Sequence, residues 1–139
     1  MEHGNIKIKA VGEKGFEVEV KLIDNNIWLT KQEIASLFNV FVGTIESNFR
    51  TLFKSGMLRI EEVTRMHSFE YKGRVSEVKL YNLDALVSVS FRISSFEAKA
   101  FREWIMRGLL EQCNSEQKKM ASVLVACKLD SWRSPIILN

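Results

Sequence analysis

The chain contains few cysteine and histidine residues, from which disulfide-bonded and metal-binding frameworks are built. Its 139 residues include two cysteines, Cys113 and Cys127, with two histidines and one proline. No further cysteine or histidine stands at ligand spacing from either thiol, so the sequence predicts no zinc site and no other cofactor. The N-terminus, MEHGNIKIKA, lacks the apolar core of a secretion signal. Two thiols in such a chain favour a reducing, cytoplasmic location over a disulfide framework.

Long apolar runs and blocks of like charge are also absent. No segment approaches the roughly 18 to 20 apolar residues of a membrane-spanning helix, so we expect no membrane association. The net charge of +3 and the pI of about 8.9 are mildly basic, which permits nucleic-acid binding without requiring it. With 46% hydrophobic and 27% charged residues, the composition is typical of a soluble globular protein.

The residue patterns that support catalysis are missing as well. His3 is expected in a flexible start of the chain, and His67 lies in a predicted strand without an identifiable acid or nucleophile partner. The sequence contains no Ser-His-Asp order, metal-binding motif or glycine-rich phosphate loop. We therefore predict that the protein is not an enzyme and binds no small-molecule ligand.

Residues 28–53 have the pattern of a helix-turn-helix. Thr30 and Glu33 form a Ser/Thr-x-x-Glu capping box, which predicts a helix start at this point. The apolar positions that follow lie on one face of each of two short helices: Ile34, Leu37 and Phe38, then Ile45, Phe49, Leu52 and Phe53. Asn39 and Val40 interrupt the run between them. Two short helices joined by a tight turn can press the second helix, here residues 42–53, into a DNA major groove.

The rest of the chain completes an α+β pattern. Alternating apolar residues over 5–29 predict an N-terminal β-hairpin with one buried face, turning at residues 12–15. A second hairpin is predicted over 63–71 and 75–83, with Lys72-Gly73-Arg74 at its turn. Helices should follow from Asn82 and from Ser95 to about Gln112, and the second one is not clearly stopped at Asn114-Ser115. The expected fold is a winged helix, that is, a helix-turn-helix plus a β-hairpin wing, with an N-terminal β-hairpin and C-terminal helices.

The order of these motifs resembles the RhuM family, described as virulence protein RhuM or RhuM-like DNA-binding protein and found in bacteria, often near mobile elements. The resemblance covers residues 18–110 and rests on four segments: VEVKLIDNNIWLTKQEIASLF, VGTIESNFRTLFKSGML, VKLYNLDALVSVSFRISS and AKAFREWIMRGLL. The last two are also similar to the end of phage Bro-N antirepressor-type domains. The resemblance implies a DNA-binding domain at residues 1–112 without catalytic activity, involved in transcription regulation. Residues 113–139 would then form a C-terminal helical extension and tail.

Two positions depart from the family pattern. Asn39 stands where the turn usually carries glycine, but asparagine also tolerates the left-handed conformation, so the turn should survive. Phe41 stands where a small hydroxyl residue usually caps the recognition helix. Phenylalanine cannot accept the free N–H groups of the first turn, which costs about 1 kcal/mol.

The second helix of the motif supplies most of the candidate DNA-binding residues. Its exposed face offers candidates for base edges, Thr44, Ser47 and Asn48. The candidates for phosphate contacts are Lys31, Arg50, Thr51, Lys54, Lys72 and Arg74. Glu46 argues against DNA, because a carboxylate repels phosphate unless it accepts from a cytosine amino group. Polar residues also face outward on any surface helix, and hairpin tips are often charged simply because they are solvated.

The sequence leaves two functions open. The first is sequence-specific binding of double-stranded DNA by a homodimer, with the helix at 95–112 and the residues after it as the candidate dimer surface. The second is a protein-interaction module on a winged-helix scaffold, favoured by Phe41 near the recognition face, by the modest net charge and by the apolar helix around Trp104. The two functions need not exclude each other.

Overall fold

The computed structural model describes residues 3–13 and 15–132, with side chains as far as residue 115. These residues form four strands and five helices: β1 Asn5–Val11, β2 Gly15–Lys21, α1 Lys31–Phe38, α2 Val42–Lys54, α3 Ile60–Val63, β3 Thr64–Tyr71, β4 Arg74–Tyr81, α4 Leu83–Ser90 and α5 Phe96–Trp132. The chain divides into two compact units, Met1–Trp104 and Ile105–Asn139. No helix in the described part of the chain is both long and apolar enough to cross a membrane.

The α+β class, the N-terminal β-hairpin and the C-terminal helix predicted from the sequence are confirmed. Strands β1 and β2 pair antiparallel, with Ile6 opposite Val20 and Ile8 opposite Val18. The expected buried face of this hairpin is, however, only half-covered, and Val11 near its turn is exposed. An open cleft, lined by Ile6 and Ile8 of β1 and by Leu37 of α1, explains the partial burial.

The core of the first unit lies between α1, α2, α4 and the start of α5. Its fully buried side chains include Ile27, Ile34, Phe38, Ile45, Leu86, Val89, Ala98 and Phe101. The rings of Phe38 and Phe101 lie 5.7 Å apart, which joins α1 to α5. Tyr81, at the end of β4, stacks on Phe49 of α2 with centroids 4.3 Å apart. Aromatic contacts of this kind stabilise a fold by more than the burial of their apolar surface alone.

A short backbone bridge connects the segment before α1 to the second hairpin. The amide of Leu29 donates to the Tyr81 carbonyl at 2.9 Å, and the amide of Tyr81 donates to the Leu29 carbonyl at 2.7 Å. Residues 27–29 therefore return to the core, with Ile27 and Leu29 buried. The bridge connects the segment just before α1 to the end of β4, where Tyr81 also contacts α2.

The second hairpin differs from its predicted limits at three points. Its turn is only Lys72 and Gly73, both with positive φ (51° and 78°), while Arg74 already pairs with Tyr71. Two consecutive positive φ angles are characteristic of the type I′ turn that fits the twist of a tight hairpin. Val63 belongs to α3, a short helix that the sequence did not predict. At the other end the strand stops at Tyr81, because the Asn82 side chain accepts from the amide of Ala85 and caps α4.

The last helix runs further than its clear sequence pattern. It begins after Ser95, whose hydroxyl accepts from the amide of Ala98 at 3.1 Å, as predicted. It then passes through Asn114 and Ser115 without a break and ends at Trp132. Trp104 is half-buried and stacks on Phe101, with ring centroids 6.0 Å apart. The last part of the predicted C-terminal extension and tail, residues 133–139, lies outside the described residues, and the predicted domain boundary after residue 112 stays a prediction.

His3 is not in a loose start of the chain, contrary to the sequence prediction. Its ring packs edge-on against His67 with centroids 5.1 Å apart, and its carbonyl accepts from the amide of Trp28 at 2.8 Å. Nearby, the Arg65 guanidinium lies 4.1 Å from the centre of the Trp28 ring. Burial lowers the pKa of His3 below its usual value of 6.5, electrostatic interaction with the neighbouring His67 and Arg65 lowers it further, and Glu33 acts in the opposite direction.

We expect this lowered pKa to make the protein less stable as the pH falls. The unfolded chain binds a proton at His3 more readily than the folded chain does, so stability declines once the pH passes below about 6.5. The thermal unfolding midpoint, measured by circular dichroism between about pH 7.5 and 5.5, should drop more in the wild type than in His3→Gln. Equal slopes for the two proteins would contradict this assignment. The backbone bond to Trp28 is retained in the variant, which makes it a fair comparison.

Candidate nucleic-acid interface

Helix α1 begins at the capping box that the sequence predicts. The Thr30 hydroxyl accepts from the amide of Glu33 at 3.1 Å, and the Thr30 amide donates to the Glu33 carboxylate at 2.9 Å. The helix ends at Asn39, whose backbone is left-handed at φ 55° and ψ 49°. The prediction that asparagine can replace glycine at this turn is therefore confirmed, because its short polar side chain accepts that conformation.

Helix α2 follows after a turn of only three residues, 39–41, and presents one apolar face to the core. Ile45, Phe49 and Leu52 are buried at the spacing of one helical face, and Phe53 stacks on Phe49 at 5.8 Å. With that face fixed against the core, the remaining positions of α2 point away from it. The candidate DNA-binding residues of α2 belong to those outward positions.

Phe41 occupies the N-cap position of α2, as predicted, and does not cap it. Its backbone has the extended N-cap conformation, but its ring is 86% exposed and forms no capping hydrogen bond. The amides at the start of α2 thus lack the side-chain acceptor that serine or threonine would supply. A large apolar ring is therefore exposed to solvent at the N-terminal end of α2, the helix that the sequence assigns to DNA recognition.

Substitution of Phe41 by serine should stabilise the protein by about 1 kcal/mol, because the hydroxyl can accept one of the free amides and little packing is lost. Chemical denaturation of the wild type and the variant measures the change in the free energy of unfolding. Phe41→Ala is the matched control, since it removes the same ring without adding an acceptor. If the serine variant were no more stable than the alanine variant, the missing cap would not limit α2.

The three predicted base-edge residues do not have the same surroundings. Thr44 and Ser47 are exposed on the outward face of α2. Asn48 is half-buried, and its amide group is already engaged. Its nitrogen donates to the Thr44 carbonyl at 2.8 Å, and its oxygen accepts from Nε of Arg92 at 2.9 Å. Thr44 and Ser47 are therefore accessible as they stand, whereas Asn48 holds another side chain.

The predicted phosphate-binding residues fall into two groups in the structure. Arg50, Thr51 and Lys54 are exposed on α2, with the Thr51 hydroxyl donating to the Ser47 carbonyl at 3.2 Å. Lys72 and Arg74 are exposed at the tip of the second hairpin, where the Lys72 amine lies 5.4 Å from the centre of the Tyr71 ring. Each group places two positive charges within a few residues of each other.

Lys31 differs from these residues because it forms an ion pair. Its amine lies 3.5 Å from a carboxylate oxygen of Glu46 on α2, and both side chains are partly exposed. Glu46 is the only acidic residue of α2. The pair offsets the negative charge that the sequence counts against DNA binding, and it also makes Lys31 a weaker candidate for a phosphate contact.

Arg92 is a candidate that the residue pattern did not single out. It follows the last turn of α4, outside the helix-turn-helix, and reaches Asn48 across 44 positions of sequence. Arg102 of α5 stabilises the backbone around Arg92, because its guanidinium donates to the carbonyls of Ser90 and of Ile93, the latter at 2.8 Å. No local periodicity marks Arg92, and only the packing of α4 against α2 brings it to this surface.

Other kinds of site are less well supported by the described residues. They contain no group of three histidine, cysteine or acidic side chains that could hold a metal ion. Cys113 is a free, exposed thiol, and the side chain of Cys127 lies outside the described residues. Several large apolar side chains are strongly exposed, among them Phe41, Met57, Val75 and Phe96. They bear on the alternative function in protein interaction.

Comparison of the chain with protein-family models, with curated proteins and with solved structures found no match. The resemblance to the RhuM family therefore stays a prediction from the segments quoted above.

Proposed function

We propose that this protein binds double-stranded DNA in a sequence-specific manner as a winged-helix transcription regulator, acting at a mobile-element or virulence locus. The outward face of α2 carries the proposal. It presents hydroxyl groups at Thr44 and Ser47 beside positive charges at Arg50 and Lys54. The one carboxylate on this helix, that of Glu46, is paired with Lys31. A short helix with such a face suits the major groove.

The two kinds of side chain would have different tasks in the complex. Hydroxyl groups near the start of α2 can donate to or accept from base edges, which gives sequence preference. Arg50 and Lys54 would bind phosphates and fix the register of the helix on the duplex. Lys72 and Arg74, at the tip of the second hairpin, would act as the wing and contact the neighbouring backbone or minor groove.

A homodimer would give the affinity that one short helix lacks. A single recognition helix reads one half-site, and two copies at fixed spacing read a palindrome. The proposed dimer surface is the helical segment 95–112 and the residues after it, and Met106, Leu109 and Leu110 of this segment are exposed. Exposed leucines on a long helix favour pairing with a second copy.

Fluorescence anisotropy with a random-sequence duplex pool, at low and at moderate salt, tests the proposal. We expect binding that weakens as salt rises, because phosphate contacts release counterions. Selection of the bound fraction should then enrich a palindromic motif, as a symmetric dimer requires. Absence of binding at low salt would overturn the proposal, and enrichment of a single half-site would overturn the dimer alone.

The alternative is a protein-interaction module on the same scaffold. Phe41 favours it, since an exposed phenyl ring at the start of α2 is an apolar anchor of the type found at protein interfaces. The two functions predict different outcomes for Phe41→Ala. Loss of the ring would leave DNA affinity within about twofold if DNA binding depends on the polar face, but would weaken a protein complex anchored at Phe41.

A further inference from the structure

The contact between Asn48 and Arg92 changes which residue is expected to meet DNA. Nε of Arg92 donates to the Asn48 side-chain oxygen at 2.9 Å, while the Asn48 nitrogen donates to the Thr44 carbonyl at 2.8 Å. To pair with adenine, asparagine must present its oxygen and its nitrogen to the base together. Here both atoms already have partners, and one partner is a charged group. These two bonds fix the orientation of the Asn48 amide and leave it one lone pair and one N–H, so turning the amide toward a base would break both bonds.

Arg92, by contrast, keeps most of its hydrogen-bonding capacity. A guanidinium has five N–H donors, and the contact with Asn48 uses the one on Nε. Among the described residues, its four terminal N–H groups have no hydrogen-bond or carboxylate partner, and the side chain is exposed. The two terminal nitrogens form a planar fork that matches two adjacent acceptor atoms, such as those of a phosphate or of a guanine edge.

The backbone at Arg92 and on either side of it is held in place by hydrogen bonds. Its amide donates to the Val89 carbonyl at 2.9 Å, and the carbonyls of Ser90 and Ile93 on either side accept from the Arg102 guanidinium. Ser90 is fully buried. A side chain that is anchored at its backbone and again at Nε loses little conformational freedom when its fork binds, which favours affinity.

We propose that Arg92 contacts DNA beside α2 and that Asn48 is the positioning residue that directs it. The proposal rests on the DNA-binding function proposed above. Asn48 holds the guanidinium through Nε beside the turn of α2 that carries Thr44, to whose carbonyl Asn48 also donates. The DNA surface read in this way is therefore formed by α2 together with the end of α4, and it extends beyond the helix-turn-helix. The ligand is a pair of acceptor atoms on duplex DNA.

A double-mutant cycle on the full chain tests both parts of the proposal. Arg92→Ala, Asn48→Ala and the double variant are measured by anisotropy on a duplex from the selected pool. Arg92→Ala should lower affinity about tenfold or more, and Asn48→Ala should lower it less. The double variant should bind no worse than Arg92→Ala, because Asn48 has nothing left to orient. Arg59→Ala, which removes an exposed arginine from the loop before α3, is the charge-matched control and should bind as the wild type.

Two further measurements identify the acceptor pair. If the fork binds a phosphate, Arg92→Ala should reduce the slope of log affinity against log salt by about one, and Arg92→Lys should restore much of the affinity. If the fork binds a guanine edge, Arg92→Lys should not restore it, and discrimination at one base pair should be lost. Thermal melting of each variant checks that the fold is intact.

The outcomes separate this proposal from the function on which it rests. If the wild type binds DNA and Arg92→Ala behaves like Arg59→Ala, the role of Arg92 is overturned and the proposed function stands. If Asn48→Ala still loses discrimination at one base pair in the Arg92→Ala background, Asn48 reads that base itself and its role as a positioning residue is overturned. If the wild type does not bind duplex DNA even at low salt, both proposals fail.

Discussion

Replacement of Arg50 and Lys54 together by glutamate should lower the affinity for duplex DNA by about 100-fold at low salt, because like charges placed together across an interface cost several kcal/mol. Both side chains are exposed on the outward face of α2, and neither belongs to the core. The variant should also show a flatter salt dependence, since two phosphate contacts and their released counterions are lost. Anisotropy titrations at several salt concentrations measure both effects.

The matched control for this variant is Lys7→Glu together with Lys9→Glu. Both lysines are exposed on β1. The control changes the net charge of the protein by the same amount but leaves α2 intact. We expect it to bind DNA far more tightly than the α2 variant. Equal losses in the two variants would mean that DNA responds to the overall charge and that α2 is not the binding element.

Substitution of Phe38 by alanine should destabilise the protein by about 3 to 5 kcal/mol, the usual cost of removing a fully buried phenyl ring. Phe38 has no exposed surface, and its ring lies 5.7 Å from that of Phe101. The substitution removes the contact between the end of α1 and α5 and leaves a cavity. Since whole domains are stable by only about 5 to 15 kcal/mol, much of the protein should be unfolded at moderate urea concentrations.

Phe41→Ala tests whether this loss depends on burial. The same ring is removed only three positions further along the chain, but from a site that is 86% exposed. We expect its effect on the free energy of unfolding to stay within about 0.5 kcal/mol. Urea denaturation of the two variants under the same conditions gives the comparison. Similar losses of unfolding free energy in the two variants would mean that the Phe41 ring is packed against other protein atoms in solution and is not exposed.

Much of the fold followed from local patterns. The capping box at Thr30 and Glu33 set the start of α1, and the left-handed Asn39 set its end. Apolar residues at helical spacing identified the buried face of α2, and alternation identified both hairpins. Such features depend on residues within about four positions of one another, so the sequence displays them directly.

The candidate site was only partly predictable for the same reason. The sequence identified Thr44, Ser47, Arg50 and Lys54 as outward residues of α2, and the fold leaves them exposed. It also counted Asn48 as a free reader of bases and Glu46 as a free negative charge. In the folded chain Asn48 holds Arg92, and Glu46 pairs with Lys31. Each of these contacts joins α2 to another segment of the chain, and no spacing rule predicts such a partner.

The sequence by itself determined the order of the elements other than α3, the limits of α1 and α2 to within a residue or so, and which face of α2 is apolar. The tertiary structure alone decided that His3 packs on His67, that the N-terminal hairpin is only half-covered, and that Arg92 stands beside α2. The physical reason is the range of the interactions. Caps, turns and helical faces arise between near neighbours in the chain, whereas burial and side-chain partners depend on how distant segments pack.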